Sequence, residues 1–331
     1  MITVEHLTKC YGAYTAVNDL SFEIEDGHIY GFLGPNGAGK STTMNIMTGC
    51  LSATSGRVCI DGFDIFEEPK EAKRRIGYLP EQPPLYTNET PLEYLRFVGR
   101  AKGLKEPELS EQIRTVMERT RIEEMKNRRI SALSKGYKQR VGIAQALLGN
   151  PRVIILDEPT VGLDPIQIIE IRDLIRELGR EHTVILSSHI LSEVQALCEK
   201  ILIIAHGELI AFDTPDQLEN RLLGKAEITF LADAPEEHVA EILARQSYLG
   251  SYQLKPQETL MTEACVRSDS EELYDVSRRL FFAFAEEGIA LLEIRLKKTN
   301  LEEIFIELTE HTEEVNVPAE AVPTEEEAEK A

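Results

Sequence analysis

The sequence predicts an α/β fold, a largely parallel sheet layered between helices, with a smaller α+β module after it. Three observations predict it. Ile29–Leu33, Val153–Leu156, Thr183–Leu186 and Ile201–Ile204 are continuous apolar runs, the pattern of strands covered on both faces. Helical patterns at Lys40–Thr48, Pro165–Leu178 and Ile190–Glu199 lie between them, and such alternation builds a parallel sheet. From Ala226 onward the order changes to strand, helix, two strands, helix, strand.

In chain order, Ile2–Leu7, Leu20–Ile24 and Arg57–Ile60 read as half-exposed strands of an antiparallel β subdomain, with turn signals at Asp26-Gly27 and Asp61-Gly62. Pro91–Thr120 has helical periodicity and little strand character, so a helical subdomain, about residues 87–150, is inserted into the core. The later elements are a strand at Glu227–Leu231, a helix at Pro235–Arg245, strands near Tyr248–Leu254 and Thr259–Val266, a helix at Ser270–Glu286 and a strand at Ile289–Leu296. This βαββαβ order resembles a ferredoxin-like module. After Glu310 aromatics vanish while Pro, Glu and Ala accumulate, the composition of a disordered segment. The predicted division is therefore residues 1–220, an accessory α+β domain at 221–310, and an acidic disordered tail at 311–331.

The chain of 331 residues is 42% hydrophobic and 28% charged, an ordinary composition for a globular protein with a sizeable core. Its net charge is −21, and Thr312–Ala331 holds seven Glu against one Lys, so the body stays acidic without the tail. Attraction to nucleic acid phosphate is excluded as the main activity, and no nucleic acid partner is expected. The five cysteines show neither CxxC pairs nor regular spacing and read as scattered, mostly buried thiols of a reducing compartment. The N-terminus has no signal pattern. Apolar runs such as Ile201–Ala205 fall far short of the ~18–20 residues of a membrane span. Any service to a membrane is expected to pass through a partner.

Gly34-Pro35-Asn36-Gly37-Ala38-Gly39-Lys40-Ser41 fits GxxxxGK[ST] directly after a buried strand and at the start of a helix, the context of a P-loop. Glycines let the loop wrap a phosphate, and the N–H groups of loop and helix start point inward as donors. Lys40 adds a cation for the β- and γ-phosphates. Ser41 is placed to ligate Mg²⁺, and Thr42 to bond the α-phosphate. Val153–Leu156 runs into Asp157-Glu158. Alone, this is a strand ending in a solvated acidic turn; beside a P-loop, Asp157 suits the Mg²⁺ of ATP and Glu158 suits a general base for the attacking water.

Leu133-Ser134-Lys135-Gly136-Tyr137-Lys138-Gln139 then brings the resemblance into view. It is similar to the LSGGQ signature of the ABC ATPase family, and the resemblance covers roughly residues 2–220. Ser134 by itself is an ordinary helix N-cap. A helix N-terminus with a free hydroxyl is also a second phosphate site, through Ser134 and the N–H groups around Gly136. The resemblance implies a P-loop NTPase (RecA-like) core, binding of ATP and Mg²⁺, and hydrolysis in a head-to-tail dimer that sandwiches two nucleotides. It further implies that Tyr11 stacks on adenine, that Gly162-Leu163-Asp164 is the D-loop, and that His189 contacts the γ-phosphate. In the loop Ile76-Gly77-Tyr78-Leu79-Pro80-Glu81-Gln82, Glu81 stands where the family has Gln, as a candidate for Mg²⁺ or water, and Gln82 follows it; both remain candidates for the sensing role. Lys135 and Tyr137 depart from the commonest signature, while Ser134 and Gly136 remain.

The implied machine is an ATPase subunit at the cytoplasmic face of a membrane. It is paired in a homodimer or heterodimer and bound peripherally to an integral membrane permease. The variant signature, Glu81 and the stretch Asn300–Phe305 resemble the ABC-2-type export branch, including drug-resistance and gliding-motility-like ATPases. The alternative is a non-transport ABC ATPase of DNA repair or translation. Against it, the chain has no coiled-coil or zinc insertion and only one P-loop.

Overall fold

The computed structural model describes residues 1–222, 226–257, 261–268 and 273–297. The expected tail and Asn300–Phe305 lie outside them, as do Thr259 and Ser270 at the starts of two expected elements.

The chain opens with the antiparallel pair β1 (Ile2–Tyr11) and β2 (Tyr14–Ile24). Both run past the apolar stretches that announce them, because bulges keep the pairing going beyond Leu7. β3 (Ile29–Leu33) and α1 (Lys40–Met47) follow, then β4 (Ser55–Ile60) and β5 (Phe63–Asp64). The first sheet has the order β2-β1-β4-β5. A short α2 (Pro69–Lys73) leads into β6 (Ile76–Leu79), a four-residue strand held between Arg75 and Pro80.

The expected helical stretch is two helices, α3 (Pro91–Ala101) and α4 (Glu108–Arg119), separated where Gly103 and Pro107 prevent one helix from running through. α3 begins at a capping box in which Thr90 and Glu93 satisfy each other's backbone N–H groups. α5 (Lys135–Leu147) completes the helical layer. The α/β core resumes with β7 (Val153–Leu156), α6 (Pro165–Gly179), β8 (Thr183–Ser188), α7 (Leu191–Leu197), β9 (Lys200–Ala205), β10 (Glu208–Asp213) and α8 (Pro215–Leu222).

The central sheet has the order β10-β9-β3-β8-β7-β6. All its pairings are parallel except β10 with β9. Its apolar strands serve two cores at once. Tyr30, Phe32, Val153, Ile155, Ile185, Leu202 and Ile204 face the first sheet and α1. Ile29, Leu33, Ile154, Leu156, Val184, Leu186, Ile201 and Ile203 face the helices. That period-2 division is why the runs read as continuous rather than alternating.

α5 sits unusually close to β6. A Cβ on Gly77 would lie 2.2 Å from the Ala146 carbonyl oxygen, so only glycine lets helix and strand backbones meet there. At the far end of α5, Lys102 Nζ donates to the carbonyls of Gln145, Ala146 and Leu148 at 3.0, 3.3 and 2.7 Å, capping the negative helix terminus with a cation.

The C-terminal residues form β11 (Ala226–Ala232), α9 (Glu236–Ala244), β12 (Ser251–Pro256), β13 (Thr262–Ser268), α10 (Leu273–Glu286) and β14 (Leu291–Lys297). Their sheet order is β12-β13-β11-β14, all antiparallel neighbours. Since β13 lies between β11 and β12, the β11–α9–β12 unit is a split βαβ. Its core is its own: Phe230 and Phe284 rings meet at 5.1 Å among Val239, Val276 and Leu280.

Gly77→Ala is expected to lower unfolding stability by roughly 1–3 kcal/mol, the usual cost of overpacking, because backbone and not a pliable side chain stands in the way. Urea unfolding followed by circular dichroism measures it, and an unchanged midpoint would contradict the close approach.

Candidate functional site

Parallel strands bring their carboxyl ends to one edge, and in open α/β sheets that edge holds the ligand. Here the ends of β3, β6, β7 and β8 deliver Gly34–Gly39, Glu81, Asp157-Glu158 and Ser187–His189 respectively. The turn into α1 closes at Gly39, which has φ 100° and whose Cβ would lie 2.5 Å from the Ala16 carbonyl oxygen. Both the left-handed backbone and the close approach demand glycine.

Lys40 is only 6% exposed. Its Nζ donates to the carbonyls of Gly34 at 2.8 Å and Pro35 at 3.1 Å and lies 3.8 Å from Glu158 Oε1. Burial pushes the ammonium below the usual lysine range, while the negative charges of Glu158, Asp157 and Glu81 oppose that shift. A cation this dehydrated and so bracketed by acceptors is prepared for an anion of high charge.

Asp157 and Glu158 are 2% and 8% exposed. Asp157 Oδ1 accepts from Ser41 Oγ at 3.1 Å and from Ser187 Oγ at 2.6 Å. Ser187 Oγ in turn accepts from the Glu158 N–H at 2.8 Å, so one buried hydroxyl orients both acidic residues. Glu158 has φ 45°, a left-handed conformation that L-residues with a Cβ adopt at a cost of roughly 1–3 kcal/mol and that clusters at active sites. His189 Nδ1 lies 3.1 Å from Glu158 Oε2.

Lys40, Ser41, Glu158 and His189 border a cavity of about 460 Å³, within the size range of small-molecule sites; Asp157 is not part of its wall and meets it through the Ser41 hydroxyl. Tyr11 and Tyr14 line it, as do Asn36 through Thr42. Ala16, Glu81, Glu158, Val161 and His189 complete the wall. Gln82 is exposed and is not part of that wall. Gly34 and Pro35 act from behind the wall through their carbonyls.

Three predicted site residues are elsewhere. Ser134 N-caps α5, its Oγ accepting from the Tyr137 N–H at 3.4 Å. Gly136 is buried with the Gln167 amide packed against its Cα. Asp164 N-caps α6, accepting from the Gln167 N–H at 2.9 Å. Lys135 Nζ lies against Gly162. The signature start and the Gly162–Asp164 loop thus form a second cluster, and none of its residues lines the cavity of the same chain.

Ser187, Tyr14 and Val161 were not among the predicted site residues. Ser187 had a signal, since a polar Ser187-Ser188 pair ends a strand otherwise apolar and buried. Tyr14 and Val161 carry no pattern that separates them from ordinary surface and loop residues.

The chain resembles known proteins over most of its length. The ABC transporter family model matches residues 17–161. The linearmycin resistance ATP-binding protein LnrL of Bacillus subtilis (strain 168) is 33% identical over 94% of this chain and 99% of its own length. The bacitracin transport ATP-binding protein BcrA of Bacillus licheniformis is 34% identical over 93% and 97%. Among solved structures, an ATP-binding subunit of an ABC transporter superposes with a TM-score of 0.61 at 32% identity, covering 67% of this chain and 92% of that one. The dimeric, post-hydrolysis cassette MJ0796 bound to ADP and Pi gives a TM-score of 0.60 at 27% identity, covering 65% and 98%.

Lys40→Ala is expected to weaken ATP binding by roughly 10–100-fold, the worth of a charge-assisted contact, as measured by fluorescent-nucleotide titration. Affinity equal to wild type in a folded variant would remove Lys40 from the site.

Proposed function

Because the chain belongs to the ABC transporter family as an ATP-binding, ATP-hydrolysing subunit, we propose that it drives an export-type membrane partner by closing on ATP and Mg²⁺ as one half of a sandwich dimer. The observation that carries this reading is a separation. Lys40, Ser41 and Glu158 border one cavity, with Asp157 bonded to Ser41 beside it, while Ser134, Gly136 and Asp164 gather at a second cluster outside it. A phosphate held by both devices requires two chains, and the MJ0796 cassette is described as dimeric.

Within that reading Tyr11 stacks on the adenine, Asn36 to Thr42 cradle the phosphates, and Lys40 meets the β- and γ-phosphates. Ser41 and Asp157 would hold Mg²⁺, with Glu81 beside them; hydroxyl and carboxylate oxygens are its preferred donors. Among the described residues no group of three or more His, Cys, Asp or Glu side chains is set to hold a metal, so further ligands would come from phosphate and water. Mg²⁺ supplies charge neutralisation at the phosphates. Glu158 takes a proton from the attacking water, and His189, 3.1 Å from it, keeps its carboxylate aimed. Glu81 rather than Gln82 is the favoured sensor, since only Glu81 lines the cavity.

The partner is an integral membrane permease and the location the cytoplasmic face of the membrane. No helix among the described residues is long and apolar enough to cross a membrane. The loop after Glu81 reaches an exposed aromatic patch in which the Tyr86 and Phe97 rings stand 5.2 Å apart, suited to receiving a helix of the permease. The relatives' names, concerning linearmycin resistance and bacitracin transport, support export and speak against the DNA repair or translation alternative. The division at about residue 220 rests on the separate core of β11–β14 and its helices. Every proposed site residue precedes it, so a chain ending after α8 is expected to retain ATP affinity within about threefold, well under one decade of binding energy.

Glu158→Gln tests the whole reading. It preserves the cradle and is expected to slow hydrolysis by roughly 10²–10⁴-fold, the worth of a general base, so ATP persists and holds two chains together. Size exclusion should then give a dimer with ATP and Mg²⁺ and a monomer with ADP. Adding Ser134→Arg should abolish that dimer. If the double variant dimerises equally well, Ser134 is not at the shared site.

A further inference from the structure

Glu193 is a buried carboxylate outside every predicted motif, 4% exposed in the first turn of α7. It gathers groups from three other places in the fold. Thr160 Oγ1, in the loop between Glu158 and Asp164, donates to Glu193 Oε2 at 2.6 Å. Ser188 Oγ, at the end of β8, lies 3.3 Å from the same oxygen and also accepts the Ile190 N–H at 3.0 Å. Arg172 Nη2, on α6, stands 3.3 Å from Glu193 Oε1. Both oxygens of the carboxylate are therefore engaged.

We infer that Glu193 is a positioning residue for hydrolysis, fixing the turn that carries His189 to the loop that runs from Glu158 to Asp164. The inference deepens the ATPase reading above and rests on it. His189 lies between Ser188, which bonds Glu193, and the α7 turn that contains Glu193. Thr160 stands two residues after Glu158 and four before Asp164. One carboxylate thus ties the residue facing Glu158 to the loop that connects Glu158 with the second phosphate cluster. Arg172 extends the tie to the helix that Asp164 caps. A displacement of the Gly162–Asp164 loop, such as a partner chain would impose on closing, cannot leave His189 where it was while these bonds persist.

A side chain that touches neither nucleotide nor water acts here through geometry. Misplacing a reacting group by about 1 Å lowers turnover by up to roughly 100-fold with little effect on ground-state binding. Loss of the Thr160 bond alone should act through the same link as loss of the whole carboxylate, so the two changes should not add.

The experiment is a double-mutant cycle on the full chain, with Glu193→Ala, Thr160→Val and their combination, reading kcat, KM and ATP affinity well below each variant's unfolding midpoint. Glu193→Ala is expected to lower kcat by roughly 10–100-fold with ATP affinity within about threefold of wild type. Thr160→Val should lower kcat by less, and the pair should be no slower than Glu193→Ala alone. Glu193→Gln, which keeps the shape and one acceptor oxygen, should recover part of the loss and serves in place of Glu193→Ala if that variant fails to fold. Unchanged kcat in folded Glu193→Ala, or multiplicative losses in the pair, would overturn the inference. Absence of hydrolysis by the wild-type chain would instead overturn the ATPase reading.

Discussion

One ammonium and two carboxylates meet almost out of water at the carboxyl edge of the central sheet, and holding them there is the constraint on which the remaining structure depends. Lys40, Asp157 and Glu158 are each less than 10% exposed. Charges so placed are tolerable only with dense pairing and hydrogen bonding. Lys40 draws on two loop carbonyls and Glu158. Asp157 draws on the hydroxyls of Ser41 and Ser187, and Glu158 on His189. These partners come from three strand ends, so the parallel sheet must fix their mutual positions before any ligand arrives. The two apolar cores flanking that sheet supply the rigidity, and the left-handed backbone at Glu158 persists because its neighbours over-determine it.

The parts of this arrangement legible in the sequence are those that one short stretch encodes. A strand covered on both faces announces itself as an unbroken apolar run, and β3, β7, β8 and β9 were read that way. The phosphate loop was legible because glycines, Lys40 and Ser41 are contiguous. β6 escaped because only four residues, Ile76–Leu79, lie between Arg75 and Pro80, too short a stretch to stand out. β10 escaped because, as the edge strand, it carries a mixed pattern. Hydrogen bonds across some 30 residues were invisible for a different reason. Ser187 and Glu193 have ordinary local contexts, and only the folded sheet brings them to Asp157 and Thr160. The choice between Glu81 and Gln82 likewise needed a direction in space, because adjacent residues leave a loop on different sides.

Lys135 shows how a departure from a family pattern can be absorbed. Its position in the commonest signature is a glycine, and a long cation there could obstruct a phosphate. Instead Lys135 Nζ packs against Gly162 of the neighbouring loop, while Gln167 fills the space beside Gly136. Ser134 keeps its place as the N-cap of α5. The substitution thereby strengthens contact between the signature start and the Gly162–Asp164 loop without occupying the helix N-terminus.

That contact links the start of α5 to the loop that follows Glu158. α5 is bound at its N-terminal end to the Gly162–Asp164 loop and at its C-terminal end to Lys102 and Gly77. The same loop continues back to Glu158, whose backbone N–H is fastened to Ser187. On the sandwich-dimer reading proposed above, a load applied at Ser134 by a second chain would meet a path through the Lys135–Gly162 contact and the loop back to Glu158. Its stiffness follows from where the contacts fall: glycine–backbone packing and buried hydrogen bonds yield less than exposed ion pairs, which water and salt loosen. Exposed pairs such as Arg114 with Glu118 and Arg176 with Asp173 join neighbouring turns of single helices. Along that path the Glu158–Ser187 bond is buried.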